Sequence, residues 1–151
     1  MDYDELRERL PIDGSALDEE VSRQPVLMMA AHELYAQAYR QLSEAKQAVD
    51  EAEAHAYRAT RESLESSGEK VTEARIQQTV RMDVRLQDSR RAVRDAQEHV
   101  HRCEGLVRAY QQRGSMLRDL VQLYVTEYYS TDSIKMDPVD RVKLAHGAKR
   151  P

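Results

Sequence analysis

Between Val84 and Tyr129 apolar or small residues recur at alternating spacings of three and four: Leu86, Ser89, Val93, Ala96, Val100, Cys103, Val107, Tyr110, Gly114, Leu117, Val121, Tyr124 and Tyr128. That spacing keeps one stripe on one face of a helix for about six heptads, which is a coiled-coil seam and is incompatible with the twofold alternation of a strand. Upstream the stripe is thin and ringed by arginine, with Arg85, Arg90, Arg91, Arg94, Arg102, Arg108 and Arg113 around it. Beyond Gly114 apolar residues spread round most of the circumference, as Met116, Leu117, Leu120, Val121, Leu123, Tyr124, Val125 and Tyr128. Only the first half can keep a solvated back.

A second stretch without Gly or Pro runs from Pro25 to Ser67. Leu27, Ala31, Leu34, Ala38, Leu42, Ala45, Val49, Ala52, Ala56 and Ala59 form its inward stripe, with one stutter between Ala38 and Leu42. This predicts a helix of about 43 residues, roughly 65 Å long at 1.5 Å per residue. Its alanine-rich seam permits a close helix approach but buries little apolar area. Gly68 supplies a left-handed stop after Ser66 and Ser67, and Thr72 with Glu73 starts the next helix. Asp83 is either interior to that helix or the N-cap of a separate one. If the chain reverses at 68 to 71, Pro25 lies opposite Gly114 and the apolar end from Ser115 to Tyr129 projects beyond its partner.

Upstream, residues 2 to 10 read as a short acidic helix with Tyr3, Leu6 and Leu10 on one face, stopped by Pro11. Ser15 is a candidate N-cap, with Asp18 three residues on, and Leu17 and Val21 begin a stripe expected to break near Arg23 and Gln24 ahead of Pro25. The fold class is therefore all-α: a long antiparallel helical hairpin, coiled-coil-like, with short N-terminal helices (1 to 24), a hairpin and oligomerisation helix (25 to 130) and a mobile polar tail (131 to 151). Assembly is expected through the C-terminal helix, on Leu117, Leu120, Val121, Leu123, Tyr124 and Tyr128.

No Phe or Trp is present and a third of the chain is charged, which argues against a thick globular core and fits long helices side by side. The formal charge of -4 hides a dipolar distribution. Residues 1 to 24 hold eight carboxylates against three arginines, whereas 84 to 114 hold seven arginines against four carboxylates. The opening Met-Asp-Tyr-Asp-Glu is no export signal and no apolar run approaches the roughly 18 residues of a membrane span, so the expected location is the cytoplasm, that of a bacterial host if the gene is phage-borne. The single Cys103 sits on the seam as a buried structural thiol.

His32, His55 and His146 are isolated, and His99 and His101 point about 200° apart on a helix, so no metal set forms. There is no phosphate loop and no nucleophile elbow, and the chain reads as a non-enzyme without cofactor. The remaining candidate is a cluster of cations at the hairpin tip: Arg58 and Arg61, Lys70, Arg75, Arg81 and Arg85, with Tyr57 the one aromatic beside them. These are either solvated charges paired with Glu62, Glu65 and Glu73, or a phosphate-binding patch.

Several of these features together resemble the UvsY recombination mediators of tailed phages. They are the short acidic opening helix, Ile12-Asp13, Leu17, Glu20 and Leu27; Arg58-Ala59-Thr60-Arg61 ahead of Gly68, similar to that family's basic-Ala-basic DNA-binding motif; and the last long apolar helix before a polar tail. The likeness spans roughly residues 1 to 130 at the level of spacing, and the motif here has one extra residue between its cations. It implies a helical homo-oligomer, a ring built by the C-terminal helices, that binds single-stranded DNA through Arg58, Arg61 and their neighbours. Its partners would be a RecA-like recombinase and single-strand-binding protein. The alternative from the residues alone is a helical scaffold or assembly chaperone that grips a protein and no DNA.

Overall fold

The computed structural model describes residues 1 to 68 and 70 to 126. Four helices follow in order: α1 (Tyr3–Glu8), α2 (Leu17–Ser66), α3 (Glu73–Arg81) and α4 (Val84–Val125). The two long helices lie antiparallel along most of their length, and the expected all-α hairpin is what forms.

Helix α1 starts on a capping box, in which the Glu5 N–H donates to the Asp2 carboxylate at 2.9 Å and the Asp2 N–H donates to Glu5 at 3.0 Å. Six residues cannot hold a helix unaided. Burial does so: Leu6 is wholly enclosed, and Tyr3 and Leu10 pack against the same cluster with Leu27, Ala31, Leu106, Val107 and Tyr110.

Helix α2 departs from expectation at its start. Its N-cap is Ala16, which offers no side-chain cap, and Ser15 instead donates both its hydroxyl and its backbone N–H to the Asp13 carboxylate, at 2.6 and 2.8 Å. Those bonds hold the Asp13 carboxyl below its usual range. Asp18, Glu19 and Glu20 in the first turn offset the helix dipole in place of a cap. The helix then runs straight through Pro25 for 50 residues, with no break at Arg23 and Gln24. A proline there removes the N–H owed to the Val21 carbonyl, a defect that costs about 3 kcal/mol in a helix interior.

What overrides the proline is a buried cation. Arg113, 3% exposed, donates to the Leu10 carbonyl at 3.1 Å, to the Gln24 side-chain carbonyl at 2.6 Å and to the Glu20 carboxylate. Gln24 returns a bond to the Tyr110 carbonyl at 2.7 Å, and the Tyr110 hydroxyl donates to the Leu6 carbonyl at 2.6 Å. The last turn before Pro25 is thus fastened to α4 from both sides. Glu20 is therefore a largely covered carboxylate paired with Arg113.

At the other end Gly68 adopts φ +68°, the left-handed stop expected after α2. Asp83 is the N-cap of a separate helix, its carboxylate accepting from the Leu86 N–H at 3.0 Å. Under α3 the inward stripe of α2 rotates: Ala59 is exposed, and Leu64 joins Ala56, Ile76, Val80 and Leu86 in a tip cluster. Ala38, Leu42, Val100 and Cys103 form a third cluster nearer the base. Between Leu42 and Ala56, and between Leu86 and Val100, nothing is fully buried; Ala45, Val49, Ala52, Ser89, Val93 and Ala96 are half-buried. The alanine seam keeps the helices close there at the expense of apolar area. Among the described residues no helix is long and apolar enough to cross a membrane.

Two substitutions near the base should act with opposite sign. Replacing Arg113 with Ala leaves the part-buried Glu20 carboxylate without its cation and the Leu10 carbonyl without its donor, and should lower unfolding stability by about 3 kcal/mol. Pro25→Ala restores a helical N–H and should raise stability by about 1 kcal/mol or more. Urea denaturation followed by circular dichroism measures both, and equal midpoints for wild type and Arg113→Ala would contradict the role given to the guanidinium.

Candidate nucleic-acid interface

All six cations expected at the tip lie there. Arg58 and Arg61 are exposed on the last turns of α2; Lys70 stands in the link; Arg75 and Arg81 are on α3; and Arg85 opens α4. Between Arg58 and Arg85 they face five carboxylates, Glu62, Glu65, Glu69, Glu73 and Asp83, so the tip is only slightly positive for one chain.

The fold sorts these charges onto two flanks. On one, Arg61 pairs with Glu65 at 2.8 Å, which together with nearby Tyr57 and Glu73 holds its guanidinium above the usual range. The Tyr57 hydroxyl donates to Glu73 at 2.9 Å, as does the Gln77 amide at 3.0 Å, which pulls the Glu73 carboxyl down and pushes the Tyr57 phenol up. This flank matches the solvated-pair reading. On the other, Arg58 folds its Nε onto the Ala54 carbonyl at 3.3 Å and forms no ion pair with a described residue; nor does Arg85. Both line a groove of about 600 Å³ between α2 and α4, with His55, Ser89, Glu51 and Asp83. The sequence motif puts Arg58 with Arg61; the fold puts Arg58 with Arg85. His55 is isolated in the sequence, but the hairpin register sets the start of α4 opposite it.

The apolar end also differs in detail from expectation. Because α2 begins at Leu17, it reaches back beside the end of α4, and Leu17 and Val21 share an apolar cleft of about 420 Å³ with Val121 and Tyr124. Leu117 is buried within the hairpin itself, so it is not open to a partner as first expected, and Leu120 is half-buried. The remaining surface is still large: Met116 is 50% exposed, Val121 37%, Leu123 38%, Tyr124 65% and Val125 74%. Tyr128 and the polar tail lie outside the described residues.

Among the described residues no cluster of His, Cys, Asp and Glu could hold a metal. His99 sits with its Nε2 3.9 Å from the Cys103 sulfur, and the thiol is fully enclosed, its pKa raised by burial. Comparison of the chain with models of known protein families, with curated proteins and with solved structures finds no match. Its assignment rests on its own residues.

Burial of Cys103 carries a direct consequence. An aromatic disulfide reagent at neutral pH should modify well under a tenth of the native thiol in the time that it modifies all of it in urea, since neither thiolate nor access is available in the folded chain. Rapid stoichiometric reaction of the native protein would place Cys103 outside the core.

Proposed function

We propose that the chain is a non-enzymatic recombination mediator of the kind its sequence resembles: a homo-oligomer that binds single-stranded DNA and helps load a RecA-like recombinase onto strands coated by single-strand-binding protein. The observation that carries this reading is the separation of two unlike surfaces on one rod. Cations gather at the tip, while Met116, Val121, Leu123, Tyr124 and Val125 stay exposed at the base, and α2 between them is about 75 Å long at 1.5 Å per residue.

Each surface suits one task. An apolar patch of this size at a helix end favours association with further copies of the chain. A tip with six cations against five carboxylates binds phosphates weakly by itself, yet repetition around an assembly multiplies weak sites by raising their effective concentration. Weak individual sites also let a strand be passed on to a recombinase. The chemistry of strand exchange then belongs to that partner.

A second reading has one observation in its favour: the Arg61–Glu65 pair and the near-neutral tip also suit a protein-gripping scaffold. Fluorescence anisotropy of a labelled single-stranded oligonucleotide against salt separates the two. The mediator reading expects binding at about 50 mM salt that falls steeply, with a log–log slope of roughly -0.7 per phosphate contacted. Met116→Glu with Leu123→Glu should give smaller species by light scattering and at least tenfold weaker binding without touching the tip. A wild-type monomer at micromolar concentration, or no binding at low salt, decides for the scaffold.

A further inference from the structure

Two helices far apart in sequence build one groove at the tip, in which two arginines stand with two carboxylates. Its walls carry His55 and Arg58, one helical turn apart on α2, and Arg85 and Ser89, one turn apart on α4. A groove with a donor set on each wall differs from a flat patch, because a tetrahedral anion lying in it takes bonds from both sides and is desolvated more than on an open helix face. Its volume, about 600 Å³, falls in the range of clefts that hold a small ligand, and one nucleotide fits it.

We infer that a backbone phosphate of a single DNA strand lies in this groove, held by Arg58 from α2 and Arg85 from α4 with His55 as a third donor, and that Arg61 stands outside the contact. The inference rests on the DNA-binding reading and narrows it. Arg61 is spent on Glu65, on the flank where Tyr57 and Gln77 both donate to Glu73. Arg58 and Arg85 have no such carboxylate within ion-pair distance among the described residues. Asp83 shares the groove but its carboxylate accepts from the Leu86 N–H as the α4 cap, which leaves Glu51 as the main anionic competitor. The aromatic stacking common in strand-binding sites is not available from Tyr57, whose hydroxyl is fastened to α3 on the other flank. Binding is therefore led by phosphate and indifferent to base.

The test uses the full chain and a labelled oligothymidylate, titrated at several salt concentrations. Arg85→Ala should weaken binding about tenfold at low salt and shallow the salt slope by roughly 0.7, the share of one phosphate. Arg85→Lys, which keeps a charge on the same wall, should stay within about threefold of wild type. Arg61→Ala should change affinity less than twofold, and His55→Ala should weaken binding by less than Arg85→Ala does. Helix content and oligomer size, read alongside, should not move, since Arg85 and His55 are exposed. If Arg85→Ala binds like wild type, or Arg61→Ala costs as much as Arg85→Ala, the groove is not the site, though a salt-sensitive wild type would still bind DNA. If the wild type binds no strand at all, the broader reading fails with it.

Discussion

The base of this protein depends on one guanidinium. An arginine side chain stays charged in any protein interior, so once Arg113 is enclosed its N–H groups must all find acceptors. It finds them on two separate segments: the Leu10 carbonyl after α1, and the Gln24 amide and Glu20 carboxylate one turn apart on α2. No buried side-chain nitrogen or oxygen among the described residues is left without a partner. Taking these charges out of water costs several kcal/mol, so the pair adds little net stability compared with an apolar replacement. Its effect is to select one arrangement. A slip of α2 by a single residue along α4 would carry Glu20 and Gln24 away from the only cation enclosed there, and the N-terminal segment would lose its anchor at Leu10.

The tip follows a different rule, since among the described residues nothing charged is enclosed there. Apolar contacts among Ala56, Leu64, Ile76, Val80 and Leu86 set the geometry, and charge is distributed over the outside by what they bring together. By folding α3 across α2, these contacts deliver Glu73 to Tyr57 and leave the opposite flank to Arg58 and Arg85. The charge pattern at the tip is thus a by-product of packing, and a change such as Ile76→Ala would disturb it without altering any charge.

Much of the architecture was legible from residue spacing alone. The α4 seam from Leu86 to Leu117, and the α2 seam from Leu27 to Ala56, are inward-facing in the structure because hydrophobic periodicity reports directly on which face meets a neighbour. The errors share a cause. Pro25 was read as a break because the rule for proline is local, whereas the groups that override it, Arg113 with Glu20 and Gln24, are 93 and 89 residues apart. Ser15 looked like a cap because its spacing to Asp18 is right, but Asp13, two residues back, takes both its donors. Ala59 left its seam when α3 supplied a second packing surface. At the tip, pairing Arg58 with Arg61 reflected neighbourhood along the chain, and the partner across the hairpin was visible only through the register.

The thin middle of the hairpin has a mechanical meaning. Between Leu42 and Ala56, and again between Leu86 and Val100, the two helices touch through half-buried small side chains and no fully enclosed residue. A beam of this kind is stiff against stretching, because its helical hydrogen bonds run lengthwise, but compliant in bending, because flexing the seam sacrifices little contact. The base is pinned by Arg113 and the tip by its own cluster, so thermal bending concentrates in the span between them. A tip carried on such a beam samples a cone of directions relative to the base, and its reach is set by the stiffness of an alanine seam.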